Sequence, residues 1–169
     1  MAEIAAIQFD RLADVDWSTA QLRVRPADES ALFHLKLGRR GATVIQALEL
    51  PEPTRTTDSA IWLGPREWLL PVSRERAPRL RSNLENMLAG GLGWFVEVSD
   101  QLVAIDIGER SAVVTLTGLP DAALAAGRVA RTRIGEIAAT LVGLESGGVR
   151  VFVDRSYGRY LRRWVDLAV

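Results

Sequence analysis

Alternation between apolar and polar residues predicts strands throughout the chain. Phe33, Leu35 and Leu37 alternate with His34 and Lys36, which puts the apolar side chains on one face of a strand and the polar ones on the other. The same pattern predicts a short edge strand at 22–25, strands at 60–63, 67–72 and 94–98, and strands at 102–107, 131–144 and 149–153. Turns at 64–65 and 145–148 join neighbouring strands. The chain is therefore rich in antiparallel hairpins.

Apolar residues at helical spacing predict four helices. The helix at 77–88 ends at Gly90-Gly91, and short helices fit 42–48 and 109–117. The segment 111–115 could instead be a strand, because its residues 113–115 are all β-branched. The final helix has Ser156 as its expected N-cap, and its apolar face is formed by Tyr157, Tyr160, Leu161, Trp164 and Val165.

The chain repeats itself at a spacing of 70 residues. Residues 37–44 lie over 107–114, and Leu50-Pro51 lies over Leu119-Pro120 after a one-residue slip. We therefore predict one compact α+β domain of two ferredoxin-like units: an N-terminal extension over 1–30, a βαββαβ unit over 31–99 and a βαββα unit over 100–169. The second unit lacks a sixth strand, and the 22–25 segment could supply it. The repeat also favours the helix at 109–117.

Composition excludes several classes of function. The 169 residues carry no net charge, so no overall attraction to nucleic acid or to an anionic membrane is expected. Without cysteine the chain has no disulfide, thiolate nucleophile or cysteine-ligated metal. The N-terminus does not resemble a secretory signal, and no apolar run approaches membrane-spanning length. We expect a soluble cytoplasmic protein.

No catalytic or metal site can be read from the residues. His34 is the only histidine, so a hydrolytic triad would depend on it, and its place on the polar face of a strand favours a structural or exposed role. A single histidine without cysteine also provides too few of the ligands that a transition-metal site needs. Gly90-Gly91-Leu92-Gly93 follows a helix and precedes a strand, the reverse of the order in a dinucleotide-binding loop.

Five residues are candidates for a pocket or an interface. The basic segment 127–133 could meet a carboxylate, a phosphate or a partner subunit through its arginines, although solvated arginines at the start of a strand are the favoured explanation. Tryptophans and tyrosines could line a pocket or anchor an interface, although core packing accounts for most of them. The candidates are Trp62, Trp68, Arg128, Arg131 and Tyr157.

Four segments resemble one protein family. They are WLGPREWLL at 62–70, VEVSDQ at 96–101, GRVART at 127–132 and VDRSY at 153–157. Together they are similar to the gamma subunit of heterotetrameric sarcosine oxidase over most of 22–167. The segment between Gly118 and Gly127 is shorter than in the family pattern, and Val129 stands where a cysteine is common.

The resemblance implies a fold and a role. The family is related to the folate-binding domain of the glycine-cleavage T-protein, so a two-unit folate-binding-domain (aminomethyltransferase-like) fold is expected. It also implies a complex that oxidatively demethylates sarcosine to glycine, releases hydrogen peroxide and passes the one-carbon unit to tetrahydrofolate. Alpha, beta and delta subunits would be the partners, and they would hold FAD, FMN, NAD, tetrahydrofolate and zinc. This chain would carry no cofactor and no catalytic residue of its own.

Two hypotheses follow from the resemblance. In the first, the chain is a non-catalytic gamma subunit that docks on the other oxidase chains and supports their folate domain. In the second, it is a stand-alone folate-binding or aminomethyltransferase-like protein that uses the cleft between its two units. If the chain is made alone, we expect an exposed apolar patch that self-association to a homo-oligomer could cover.

Overall fold

Two antiparallel sheets pack face to face, and helices cover their outer faces. The computed structural model describes residues 24–26 and 30–167. One sheet has four strands and the other has five. Their layers are held by three apolar clusters, one under each set of helices and one between the sheets. The architecture is α+β, as the sequence predicts.

The four-stranded sheet is built by the first half of the chain. Its strand order is β3-β4-β2-β5, so β3 and β5 are the edges. Two helices follow β2 and β4 in the chain, and their apolar side chains pack on one face of the sheet. The elements are β2 (Ser30–Leu37), α1 (Ala42–Ala47), β3 (Ile61–Gly64), β4 (Glu67–Ser73), α2 (Ala77–Leu88) and β5 (Gly93–Glu97).

The five-stranded sheet takes one strand from the start of the described chain and four from its second half. Its order is β1-β6-β9-β8-β7. The elements are β1 (Val24–Pro26), β6 (Leu102–Ile107), α3 (Arg110–Thr117), a 3₁₀ turn (Asp121–Leu124), β7 (Val129–Ile134), β8 (Ile137–Gly143), β9 (Val149–Asp154), a second 3₁₀ turn (Arg155–Tyr157) and α4 (Gly158–Leu167). A bidentate pair joins Arg150 on β9 to Asp106 on β6, with N···O distances of 2.7 and 2.8 Å.

Strand β1 pairs antiparallel with β6, with Val24 opposite Ile107 and Pro26 opposite Ile105. This places an N-terminal segment at the edge of the second sheet, where a proline without an N–H disturbs no further ladder. Within the predicted strand at 22–25, residues 22 and 23 lie outside the described residues. The rest of the predicted extension, residues 1–21 and 27–29, also lies outside them.

The predicted long strand at 131–144 is wrong, because it is a hairpin. Strands β7 and β8 pair from Ile134 opposite Ile137 to Val129 opposite Val142, and Gly135-Glu136 forms the turn. Gly135 has a φ of +56°, a left-handed conformation that glycine adopts without a Cβ clash. The extra reversal adds β7 beyond β8 as an edge strand, so the second sheet has one strand more than the first.

The start of the last helix also differs from the prediction. Asp154 caps the chain there: its carboxylate accepts hydrogen bonds from the Ser156 N–H at 2.9 Å and from the Ser156 hydroxyl at 2.6 Å. Ser156 therefore lies inside a 3₁₀ turn rather than at a helix N-cap, since α4 begins at Gly158. Tyr157 is 48% exposed, whereas Leu161 and Val165 are buried as the apolar pattern predicts.

Two other helical predictions are confirmed. Residues 110–117 form a helix rather than the alternative strand, with Val113 fully buried against the second sheet. The helix at 77–88 has the bounds that its pattern predicts, and Leu84 and Leu88 are its buried residues. Within the part of the chain that the structure describes, no helix is long and apolar enough to cross a lipid bilayer.

Candidate functional site

A cleft of about 1260 Å³ opens between the two sheets. Its inner wall continues the apolar cluster that joins them, through Leu69 on β4, Val129 on β7 and Phe152 on β9. Segment 54–56 and segment 127–129 tie the sheets together at the cleft: Thr56 N–H donates to the Gly127 carbonyl at 3.2 Å, and Val129 N–H donates to the Thr54 carbonyl at 2.9 Å.

The polar face of β2 is the face that looks toward the cleft. Phe33, Leu35 and Leu37 pack under the helices, so the alternation turns His34 toward the opposite sheet. On the neighbouring strand, Glu67 is opposite Lys36 and shares its face. The expected polar side of this strand is therefore a wall between two layers rather than an open protein surface.

His34, Lys36 and Glu67 form a small charged cluster at this wall. Lys36 Nζ donates to a Glu67 carboxylate oxygen, and this bond is the main reason why the pKa of Glu67 lies below its ordinary value. The other carboxylate oxygen lies 3.9 Å from His34 Nε2, beyond hydrogen-bond distance. Burial lowers the pKa of His34, and it outweighs the opposing attraction of Glu67. His34 is therefore neutral at pH 7.

His34 Nε2 is buried and has no hydrogen-bond partner among the described residues. Its ring contacts Trp94 edge-on, with 5.1 Å between the ring centroids. A general base needs a reacting proton within about 3 Å, or one intervening water. The buried nitrogen is covered from the cleft, so this geometry favours a structural role for His34, which is one of the two roles that the sequence predicts.

Three arginines form the opposite side of the cleft. Arg131 and Arg133 alternate along β7 and project to the cleft side, while Arg128 precedes that strand. Arg131 Nη1 donates to the Leu63 carbonyl on β3 at 2.8 Å, which ties the guanidinium across the gap between the sheets. Arg133 donates to the Glu136 carbonyl at 2.7 Å and lies 3.8 Å from its carboxylate.

Gly64 leaves open the space between the two sides. A Cβ atom at this position would lie 3.7 Å from Glu67 Oε2 and 4.0 Å from Arg131 Nη1. The attraction of Arg131 also contributes to the low pKa of Glu67. The charged groups of β4 and β7 therefore act on one another across this part of the cleft.

The cleft brings together three of the five candidate residues. Trp62, Arg128 and Arg131 line it. Trp68 lies apart, in the core under the first pair of helices, where it is 4% exposed and its Nε1–H donates to the Pro51 carbonyl at 3.1 Å. Tyr157 lies in the exposed turn before α4 and does not line the cleft.

Sequence reasoning missed several residues of the cleft. Glu67, Phe152 and Asp154 line it, but each occurs in an ordinary strand pattern, and Arg133 was named only as part of the basic segment 127–133. The only available signal was alternation: Arg131 and Arg133 lie two residues apart, so they share a face of β7. Which face meets the other sheet cannot be read from that pattern.

The arrangement suits binding rather than bond-breaking. Guanidinium groups offer fixed forks of N–H donors, and an apolar wall lies beside them. Asp154 is committed to Ser156, whose hydroxyl is the main cause of the lowered pKa of that carboxylate. Among the residues that the structure describes, no group of three or more histidine, cysteine, aspartate or glutamate side chains is placed to hold a metal ion.

Comparisons with known proteins establish the fold. No protein-family model matches the sequence, and no curated protein matches it significantly. Among solved structures, heterotetrameric sarcosine oxidase from Corynebacterium sp. U-96, in complex with pyrrole 2-carboxylate, has a chain that superposes with a TM-score of 0.74 at 18% identity. The match covers 87% of this chain and 83% of that one.

A second solved structure shares the fold as part of a longer chain. Glycine cleavage system aminomethyltransferase T from Bartonella henselae superposes with a TM-score of 0.63 at 11% identity. The match covers 85% of this chain but only 45% of the transferase chain. The chain described here thus shares its fold with a chain of the oxidase and with under half of the transferase.

Proposed function

We propose that the chain is the non-catalytic gamma subunit of a heterotetrameric sarcosine oxidase complex. The observation that carries the proposal is the fold match to a chain of such an enzyme over most of both chains. In this role the chain docks on alpha, beta and delta subunits that hold FAD, FMN, NAD, tetrahydrofolate and zinc. The complex demethylates sarcosine to glycine, releases hydrogen peroxide and transfers the one-carbon unit to tetrahydrofolate.

The gamma assignment is supported by the segments that resemble this family. Residues 62–70 form the β3–β4 hairpin, and residues 127–132 lead into β7, so two of the resembling segments meet at the cleft. The chain has no cysteine, which suits the reducing cytoplasm that we propose as its compartment.

We also propose that the two halves derive from one ferredoxin-like βαββαβ unit. Support comes from the 70-residue repeat and from the first sheet, in which β2-α1-β3-β4-α2-β5 gives the strand order β3-β4-β2-β5. In the second half β6 and α3 correspond to β2 and α1, and β1 lies beside β6 as β5 lies beside β2. Strands β8 and β9 correspond to β3 and β4, and β7 is the added strand at the sheet edge.

An exposed apolar edge offers a docking surface for this role. Strand β5 is an edge of the four-stranded sheet, and its Trp94 and Val96 are 48% and 46% exposed on the same face. Adjacent exposed apolar side chains can mark a protein–protein interface, and tryptophan is enriched among the residues that dominate binding there.

Co-expression with the other oxidase chains tests the proposal. A tagged copy should retain the other three chains at equal stoichiometry through size-exclusion chromatography, with flavin absorbance in the same peak. The double variant Trp94→Ser with Val96→Thr should weaken that retention. Tyr157→Ser removes an equally exposed aromatic ring elsewhere, so comparing the two tests whether docking depends on β5 in particular.

Two outcomes contradict the proposal. One is a chain that elutes alone while the other three assemble into a fully active enzyme without it. The other is tight binding of tetrahydrofolate by the isolated chain together with aminomethyl transfer, which would identify a stand-alone folate-dependent protein instead.

A further inference from the structure

The cleft is lined by more positive than negative side chains, although the chain as a whole has no net charge. The sequence has 21 basic and 21 acidic side chains, yet three arginines and two carboxylates line the cleft. Both carboxylates already have strong donors: Glu67 accepts from Lys36, and Asp154 accepts two bonds from Ser156. Each carboxylate of the cleft thus has a hydrogen-bond donor other than an arginine, while Arg131 attracts Glu67 without bonding to it.

Two of the arginines keep donors available. Arg131 uses Nη1 for the Leu63 carbonyl, and Arg128 Nη1 lies 3.5 Å from Thr54 Oγ1, at the limit of a hydrogen bond. Within residues 24–26 and 30–167, no ion pair closer than 4.0 Å involves either guanidinium. Arg133 differs, because it is bonded to the Glu136 carbonyl and lies near its carboxylate.

The gap between the sheets beside these donors has an apolar wall. Leu63, Leu69, Val129 and Phe152 line this gap, and Trp62 lines its edge at β3. A ligand ring can pack against this apolar wall, which includes Phe152, while a charged group remains at the arginine side.

We propose that the cleft is a binding site for a small planar aromatic carboxylate. The ring lies between the two sheets, and the carboxylate accepts hydrogen bonds from Arg128 and Arg131. Guanidinium forks match the geometry of a carboxylate, and the adjoining apolar wall strengthens such a bond by excluding water. This inference goes beyond the proposed subunit role and does not depend on the partner chains.

Titration calorimetry on the full chain, with two matched probes, tests the site. The probes are 2-naphthoate and its uncharged analogue 2-naphthamide, which have the same ring system. 2-Naphthoate should bind at least tenfold more tightly, since a charge-assisted hydrogen bond is lost with the amide. Arg128→Gln and Arg131→Gln should each weaken 2-naphthoate binding roughly tenfold, while leaving 2-naphthamide binding within about twofold of the unmodified chain.

Further variants separate charge from general destabilisation. Arg131→Lys keeps the positive charge without the fork, so its affinity should fall between those of the unmodified chain and Arg131→Gln. Arg79→Gln removes one positive charge from the exposed side of α2, a helix that packs on the face of the first sheet opposite the cleft. It should therefore leave the affinity for 2-naphthoate unchanged. Thermal melts of all variants verify that each is folded at the titration temperature.

Three results would overturn the proposal. They are equal affinity for the two probes, no binding of 2-naphthoate at millimolar concentration, and an Arg79→Gln effect as large as that of the cleft variants. Assembly with the oxidase chains is measured separately by co-elution, so failure of this site leaves the subunit proposal standing and the converse also holds.

Discussion

Replacing Gly135 with alanine tests the packing of the β7–β8 hairpin against α4. Gly135 has a φ of +56°, and a Cβ atom there would lie 2.4 Å from Trp164 Nε1 and 2.5 Å from its Cε2. Real side chains do not approach so closely, so the indole or the hairpin must shift. The substitution therefore probes a turn and a helix contact at the same time.

The expected loss has two parts. Holding alanine in the left-handed region costs about 1–2 kcal/mol, and displacing a packed side chain costs about 1–3 kcal/mol more. The free energy of unfolding of Gly135→Ala should thus fall by about 2–5 kcal/mol. Gly147→Ala is the matched control, because Gly147 also has a positive φ, of +86°, but has nothing within 4 Å of an added Cβ atom. Its loss should be about 1–2 kcal/mol.

Urea unfolding followed by circular dichroism measures both losses, and a double-mutant cycle isolates the contact. In a Trp164→Ala background the clash is absent, so the cost of Gly135→Ala should fall to that of Gly147→Ala. The packing argument is refuted if Gly135→Ala is no more destabilising than Gly147→Ala, or if its cost is unchanged without the indole.

Three further predictions concern single polar interactions. Trp68→Phe removes the buried N–H that serves the Pro51 carbonyl, so the free energy of unfolding should fall by about 1–3 kcal/mol in urea. Asp106→Asn weakens the cross-strand pair with Arg150, which is partly exposed, so its loss should be about 1 kcal/mol and smaller in high salt. Burial lowers the pKa of His34 below 6.5, so the unfolded chain binds a proton there more readily. The free energy of unfolding should therefore rise as the pH rises toward 6.5 and then level, and His34→Gln should flatten that rise.

Each of these predictions has an opposing result. Trp94→Phe changes a tryptophan that is 48% exposed, and a loss equal to that of Trp68→Phe would show that the buried N–H is not the cause. A salt-independent loss for Asp106→Asn would argue against an electrostatic origin. If His34→Gln leaves the rise in stability below pH 6.5 unchanged, another group causes that rise.

The local elements were predictable where one face of an element is buried and the other is not. Leu84 and Leu88 on α2 and Leu161 and Val165 on α4 lie at helical spacing and are buried as expected. The β7–β8 hairpin was not found, because residues on both sides of Gly135 favour strands. The sequence signal for this turn was a single glycine between Ile134 and Ile137. One glycine does not distinguish a turn between two strands from an irregularity within one strand.

The candidate site was predictable only in part, because it depends on which faces meet. Arg128, Arg131 and Trp62 were singled out by residue type, but Trp68 has the same type and lies in a core. Trp62 and Trp68 lie opposite each other on neighbouring strands and pack against the same apolar cluster, but only Trp62 also lines the cleft. Trp62 lies on β3, an edge strand, and sequence periodicity does not record which strand is at an edge.

The sequence by itself determined the α+β class, the 70-residue repeat, the helices and the alternation along each strand, because these follow from interactions between residues close in the chain. The tertiary structure alone decided that two sheets face each other, that the polar side of β2 lines a cleft, and that Arg131 reaches the Leu63 carbonyl 68 residues away. Such contacts depend on how two apolar sheet faces pack against each other. That packing is set by the whole chain at once, so no single segment encodes it.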